Sequence, residues 1–204
     1  LLPKFKDDST PINPFRVAYE INEFLNEDTI YIGDGGDVVT ISAQAVQPRA
    51  PGQWMDPGPL GTLGVGVPFS MAAKYANPEK EVLTYFGDGA FAMTGWDFET
   101  CVRFKLPFLG IVGNNSAMNQ IRYGQIAKYG PERGDVGNKL GDVPFGKFAE
   151  ILGGHGEEVR EPGEIRPALE RAREAVAAGV PALVNIWVNP NVYAPGTMNQ
   201  TMYK

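Results

Sequence analysis

Two oxygen-bearing side chains follow the ends of two apolar runs. Gly87-Asp88-Gly89 closes the run 81–86 (EVLTYF), and Asn114-Asn115, after 24 intervening residues, closes the run 108–112 (FLGIV). Short runs rich in β-branched and aromatic residues, bounded by glycine, predict buried strands. Two such strands in a parallel sheet end on the same edge, so Asp88 and Asn115 can converge there. A carboxylate, an amide oxygen and a nearby main-chain carbonyl are the hard oxygen ligands that Mg²⁺ accepts. Gly89 and Ala90 begin the next helix, where free N–H groups favour a phosphate. Together these features describe a metal-assisted diphosphate site at the carboxyl edge of an α/β sheet.

The elements that must carry this site follow from the remaining pattern. Residues 29–32 (TIYI) and 181–188 (PALVNIWV) predict two further strands. Helices are expected over 14–26 with Asn13 as cap, and over 37–46, 63–76, 95–105, 145–152 and 164–178. Residues 47–60 hold four prolines and predict a loop, and 117–129 stay ambiguous between helix and loop. Strands separated by helical crossovers predict an α/β fold, a parallel sheet with helices on both faces. Its 25 glycines cluster beside the apolar runs, as strand-to-helix turns lining one sheet edge would require. Residues 1–12 read as a linker from a preceding domain, 13–190 as the binding domain and 191–204 as a tail.

Composition narrows the function classes. The 204 residues carry 18 basic and 24 acidic side chains, a net charge of −6, with no Lys/Arg block. That argues against nucleic acid as partner, and no apolar run is long enough to cross a membrane. A single cysteine, Cys101, excludes an internal disulfide framework and fits a reducing, cytoplasmic location. It reads as a small buried hydrophobe. The start Leu1-Leu2-Pro3-Lys4 has no Met, which predicts a piece of something longer. A dinucleotide site is disfavoured: Gly33-Asp34-Gly35-Gly36 follows a strand, but Val38 stands where the third glycine belongs. No acidic residue ends a second strand about 20 residues on.

GDG followed by NN at this spacing resembles the cofactor motif of thiamine-diphosphate enzymes. The resemblance covers about residues 13–190 and corresponds to their C-terminal, diphosphate-binding domain. It implies that Asp88 and Asn115 bind Mg²⁺ by side chain and Ala117 by its carbonyl. Gly61-Thr62-Leu63-Gly64-Val65-Gly66 matches a second family segment. There Leu63 would hold the cofactor bent and the Gly61 carbonyl would accept from its amino group, which makes these two the catalytic candidates. The competing reading of Leu63 is plain helix packing. Gly36, Asp37 and Val38 match a turn that holds the diphosphate through its main chain, with Asp37 turned away to cap the next helix. The implied cofactor contacts are completed by Gly87, Asp88, Gly89, Ala90, Asn115, Ala117, Met118 and Asn119.

Met118, Asn119, Gln120 and Tyr123 would face the substrate by position, although Met118 and Tyr123 also suit an ordinary helix core. The glutamate that the cofactor needs against its pyrimidine comes, in the family, from the N-terminal domain of a neighbouring subunit. That implies a homo-oligomer, dimer or tetramer. Residues 94–107 and 181–190 are most similar to 2-hydroxyacyl-CoA lyases and oxalyl-CoA decarboxylases, with acetolactate synthases close behind. The implied reaction is C–C cleavage of an acyl-CoA substrate to formyl-CoA and an aldehyde or ketone. A carboligase, a decarboxylase and a non-catalytic subunit are the alternatives; the intact Asp88/Asn115 pair counts against the last. The tail, with Tyr193, Tyr203 and Lys204, is expected either to close over a CoA thioester or to fray. His155 reads as an exposed turn residue, and Arg166, Arg171 and Arg173 as a solvated helix face. Trp54 and Met55 would either line the cleft or anchor their loop.

Overall fold

The computed structural model describes residues 1–194. Six parallel strands form one sheet: β1 (Ile30–Asp34), β2 (Trp54–Met55), β3 (Val82–Gly87), β4 (Leu109–Asn114), β5 (His155–Val159) and β6 (Ala182–Trp187), in the order β2-β1-β3-β4-β6-β5. The helices are α1 (Leu2–Phe5), α2 (Pro14–Phe24), α3 (Asp37–Ala45), α4 (Gly66–Ala76), α5 (Asp88–Thr94), α6 (Asp97–Arg103), α7 (Asn119–Tyr129), α8 (Pro131–Gly134), α9 (Phe145–Ile151) and α10 (Ile165–Ala177). This is the α/β architecture expected, with helices on both faces.

Side chains alternate across each strand, so each face of the sheet builds its own core. On one face Tyr31, Leu83, Tyr85, Ile111 and Val184 pack against Val17 and Ile21 of α2 and Ile165 and Leu169 of α10. On the other, Ile32, Val82, Phe86, Val112 and Leu183 pack against Val67 of α4, Phe91 of α5, Phe98 and Cys101 of α6 and Ala149 of α9. Cys101 is a buried member of that second core, as its reading as a small hydrophobe required.

Several local expectations are corrected. Of residues 1–12, read as a linker, Phe5 stacks on Tyr19 and Ile12 is buried and bridges to Val188 beside β6, while most of the others are exposed. The Asn13 side chain does cap α2, accepting from the Phe15 N–H at 3.0 Å. The proline-rich stretch contains β2, because Trp54 and Met55 pair with Tyr31 and Ile32. The Trp54 indole packs on Tyr31 and donates to Asp56, so it anchors the loop. The helix expected from residue 63 begins at Gly66, and the one expected over 95–105 is the shorter α6, Asp97–Arg103. The ambiguous 117–129 folds as α7. Arg166 and Arg173 are not a solvated face. Arg166 pairs with Glu20. Arg173 pairs with Glu81, donates to the Phe24 carbonyl and lies 3.4 Å from the Phe24 ring centroid. Arg171 alone of the three is exposed, and it pairs with Glu157.

The largest correction concerns Gly153-Gly154-His155-Gly156. Gly153 and Gly154 do form a turn, but His155 and Gly156 already belong to the edge strand β5, and His155 is half-buried there against Glu157. Glycine is required by close approach: a Cβ on Gly156 would lie 1.9 Å from the Gly146 carbonyl oxygen, which is main chain and cannot rotate away. Gly156→Ala is therefore expected to push α9 off β5 and destabilise the fold by about 1–3 kcal/mol, as overpacking does. Gly163→Ala, where a Cβ would meet nothing within 4 Å, should change stability by no more than about 0.5 kcal/mol. Urea unfolding of both variants checks this.

Candidate cofactor site

The chain leaves β1 toward β2 on one side and β3 toward β4 on the other. The carboxyl ends of β1 and β3 therefore flank a topological switch point, where parallel sheets leave a crevice. A cavity of about 290 Å³ opens there. The structure brings every predicted cofactor and metal residue to its wall: Gly36, Asp37 and Val38 after β1; Gly61 and Leu63 before α4; Gly87, Asp88, Gly89 and Ala90 after β3; and Asn115, Ala117, Met118 and Asn119 after β4. Gln120 lines it too, and Tyr123 does not; the Tyr123 ring instead packs on Tyr193 with centroids 4.2 Å apart. Leu63 precedes α4, which removes the plain helix-packing reading. Tyr203 and Lys204 lie outside the described residues.

Sheet register explains the meeting of Asp88 and Asn115. Gly87 pairs with Gly113, so Asp88 leaves β3 beside Asn114, the last residue of β4, and next to the turn that begins at Asn115. The Asp88 carboxylate then organises the β4 turn. Its Oδ2 accepts from the Asn115 N–H at 3.2 Å and from the Ala117 N–H at 3.1 Å, and its Oδ1 accepts from the Gly89 N–H. The Gly89 N–H is thus already engaged, contrary to the expectation that it would serve a phosphate. The first-turn amides of α3 and α7, both longer helices that begin at the cavity wall, remain as donors. Asp37 lies in the first turn of α3 rather than at its cap, which is Gly36, and its Oδ1 accepts from the Ala194 N–H. Gly36 is itself roofed by Gln120: a Cβ there would lie 1.8 Å from Gln120 Oε1.

The donor set fits a small divalent cation bound together with an anion. Burial pushes the Asp88 carboxyl up to about 6, against the pull of the amides it accepts. Asn115 Oδ1 is buried without any hydrogen-bond partner, which is costly for an amide oxygen unless a ligand completes it. Asn119 Oδ1 is in the same condition, while its Nδ2 donates to the Pro190 carbonyl. Among the described residues no group of three or more His, Cys, Asp and Glu could hold a metal alone. One carboxylate with an amide oxygen suits Mg²⁺, which takes few protein ligands and completes its shell with phosphate oxygens and water.

Sequence reasoning missed Asp34. It ends β1, is fully buried, and accepts from the Gly64 N–H at 3.1 Å and the Gly66 N–H at 2.7 Å. It thereby fixes the turn that presents Gly61 and Leu63 to the cavity. The available signal was repetition: Gly33-Asp34-Gly35 after β1 is the same triplet as Gly87-Asp88-Gly89 after β3.

The Asp34 interaction generates a stability prediction. Asp34→Ala strips two buried amides of their acceptor and should destabilise the chain by about 1–3 kcal/mol. Burial raises the Asp34 carboxyl above its ordinary 3.8, outweighing the Gly66 and Gly64 amides. The folded state therefore binds the proton more tightly than the unfolded state. Asp34's contribution to stability must grow as pH falls from the raised value toward 3.8, and shrink as pH rises through that window. Unfolding free energies of the parent and Asp34→Asn, measured between pH 4 and pH 7, should show the parent gaining relative to the variant on acidification.

Comparison with known proteins agrees with this geometry. The family model "Thiamine pyrophosphate enzyme, C-terminal TPP binding domain" matches residues 34–186. The acetolactate synthase large subunit IlvG of Mycobacterium tuberculosis is 36% identical over 193 residues, 95% of this chain and 34% of that protein. The 2-hydroxyacyl-CoA lyase 2 of Homo sapiens is 36% identical over 189 residues, 92% of this chain and 29% of that protein. The lyase 2 of Danio rerio is 32% identical over 190 residues, covering 92% and 30%. The chain spans about a third of the length of these relatives.

Proposed function

This chain belongs to the thiamine pyrophosphate enzymes, as their C-terminal cofactor-binding domain, and from that premise we propose that it binds thiamine diphosphate (the pyrophosphate of the family's name) with Mg²⁺ and serves C–C bond cleavage or formation. The observation that carries the metal reading is the buried, unpartnered Asn115 Oδ1 beside the Asp88 carboxylate. Asp88 and Asn115 hold the ion by side chain, and Ala117 holds it by its carbonyl. Gly36, Asp37 and Val38, with the first turn of α7, orient the diphosphate. Leu63 would support the cofactor from the cavity wall, and the Gly61 carbonyl would accept a hydrogen bond from its amino group. When bound, the cofactor supplies a nucleophilic carbon and an electron sink for the bond being broken or made. Gln120, over Gly36, and Met118, over Gly89, line the cavity from the start of α7.

The specific reaction we propose is that of a 2-hydroxyacyl-CoA lyase: an acyl-CoA carrying a 2-hydroxyl is split into formyl-CoA and an aldehyde or ketone. The similarity to lyase 2 proteins over 92% of the chain supports it. A carboligase of the acetolactate synthase kind is the second reading, supported by 36% identity over 95% of the chain. On either reading the catalytic glutamate lies in another domain, contributed by a neighbouring subunit of a homo-oligomer. The lone buried Cys101 suits a cytoplasmic location, and among the described residues no helix is long and apolar enough to cross a membrane.

Two measurements test this. Titration calorimetry with thiamine diphosphate and Mg²⁺ should show binding by the parent and none by Asp88→Ala, which removes the sole carboxylate of the donor set. Equal affinity would overturn the assignment. The complete protein, given a 2-hydroxyacyl-CoA, should release formyl-CoA, whereas acetolactate from pyruvate would select the second reading. The 204-residue chain alone should turn over neither substrate.

A further inference from the structure

Ser116, between the two residues read as metal-holding, has a φ of +58°. Such a conformation strains a side-chain-bearing residue and persists only where its surroundings enforce it. Its N–H donates to Asn114 Oδ1 at 3.1 Å, its Oγ bonds Asp142 at 2.6 Å, and its carbonyl accepts from the Leu140 N–H. Asn114 is held in turn. Its Nδ2 donates to the Val143 carbonyl at 2.9 Å and to Asn185 Oδ1 at 3.1 Å. Asn185, fully buried inside β6, passes the chain outward through Nδ2 to Glu158 Oε2 at 2.7 Å on β5. Glu158 also accepts from the Trp187 indole and from the Gly146 N–H. A polar relay thus crosses three adjacent strands, from the sheet edge to the β4 turn.

We propose that Asn185, backed by Glu158, is a positioning residue for the metal-holding turn. By fixing the Asn114 amide it keeps Ser116 left-handed, and so keeps Asn115 Oδ1 and the Ala117 carbonyl directed to the same point. This deepens the cofactor reading above and rests on it for the role of residues 115 and 117. A polar side chain buried in a central strand is costly unless it is fully bonded, and each polar atom of Asn185 here finds a partner. Groups that orient metal ligands typically affect metal affinity by about 10–100-fold when removed.

The test uses Mn²⁺ as the probe, titrated in the presence of thiamine diphosphate and followed by electron paramagnetic resonance. Asn185→Leu, which keeps the volume but not the bonds, should weaken Mn²⁺ binding by about 10–100-fold. It should also speed hydrogen exchange at the Ser116 amide by about tenfold, the worth of one ordinary hydrogen bond. Glu158→Gln leaves one acceptor oxygen for donors that now reach two, so its NH₂ must face either the Gly146 N–H or those of Asn185 and Trp187, and it should weaken Mn²⁺ binding without opening a cavity. The pair Asn185→Asp with Glu158→Gln rebuilds an acceptor for Asn114 and should restore most of the affinity. Cys101→Ala, a core deletion away from the relay, should lower the melting temperature but leave both readouts at the parent values. Unchanged Mn²⁺ affinity and Ser116 exchange in Asn185→Leu and Glu158→Gln would overturn the proposal. So would losses that Cys101→Ala reproduces, or that the paired variant fails to recover. A parent that binds no Mn²⁺ while its Ser116 exchange still responds to Asn185→Leu would overturn the metal reading and leave the control of the turn standing.

Discussion

The site depends on two buried carboxylates that end adjacent parallel strands. Asp34 at the end of β1 accepts from the amides of residues 64 and 66; Asp88 just past β3 accepts from those of residues 115 and 117. Each gathers two amides, two residues apart, from a turn far along the chain. A buried carboxylate without donors would be strongly unfavourable, and two converging amides supply the compensation. The outcome is geometric: the turn carrying Leu63 and the turn carrying Asn115 are fixed to neighbouring strand ends.

That arrangement needs a sheet edge that does not move. Strands β1, β3, β4 and β6 are buried on both faces, so a slip in register would misplace side chains packed in both cores at once. Register places Gly87 opposite Gly113 and hence Asp88 beside the β4 turn. The polar relay from Glu158 to Asn114 is the longest of the polar interruptions described in this largely apolar sheet, where Thr84 bonds only to Ser70. It lies where the sheet passes from supporting a core to supporting a ligand.

The parts legible in the sequence were those in which local signals agreed. Residues 81–86 and 108–112 are apolar, β-prone and closed by glycine, so the two strand ends and the Asp88/Asn115 convergence followed from spacing alone. The edge strand β5 was hidden because its glycines, which admit Gly146 to close approach, are also the residues of a turn. β2 was hidden by the prolines around two pairing residues. Asp34 read as a failed nucleotide motif because its partners lie 30 and 32 residues away. Asn185 sat inside PALVNIWV, where periodicity reports burial and cannot report what a buried amide bonds to. Arg173 shows the same blindness: its helical position is polar, yet Glu81 and Phe24 cover it from other elements.

The donor set also constrains how ligands would arrive. One carboxylate in the metal donor set, Asp88, with amide and carbonyl oxygens beside it, brings a single negative charge to a doubly charged ion; the other acid at the cavity wall, Asp37, stands in the first turn of α3 and accepts from the Ala194 N–H. Mg²⁺ gives up its water reluctantly, and such a shell would hold it weakly on its own. A diphosphate brings the missing charge, while the amides of α3 and α7 that would receive it bring none of their own. Neither ligand is fully neutralised by the protein, and each neutralises the other. Ion and diphosphate therefore bind interdependently on this reading, and a protein that supplied two or three carboxylates here would gain metal affinity while repelling the diphosphate it must also hold.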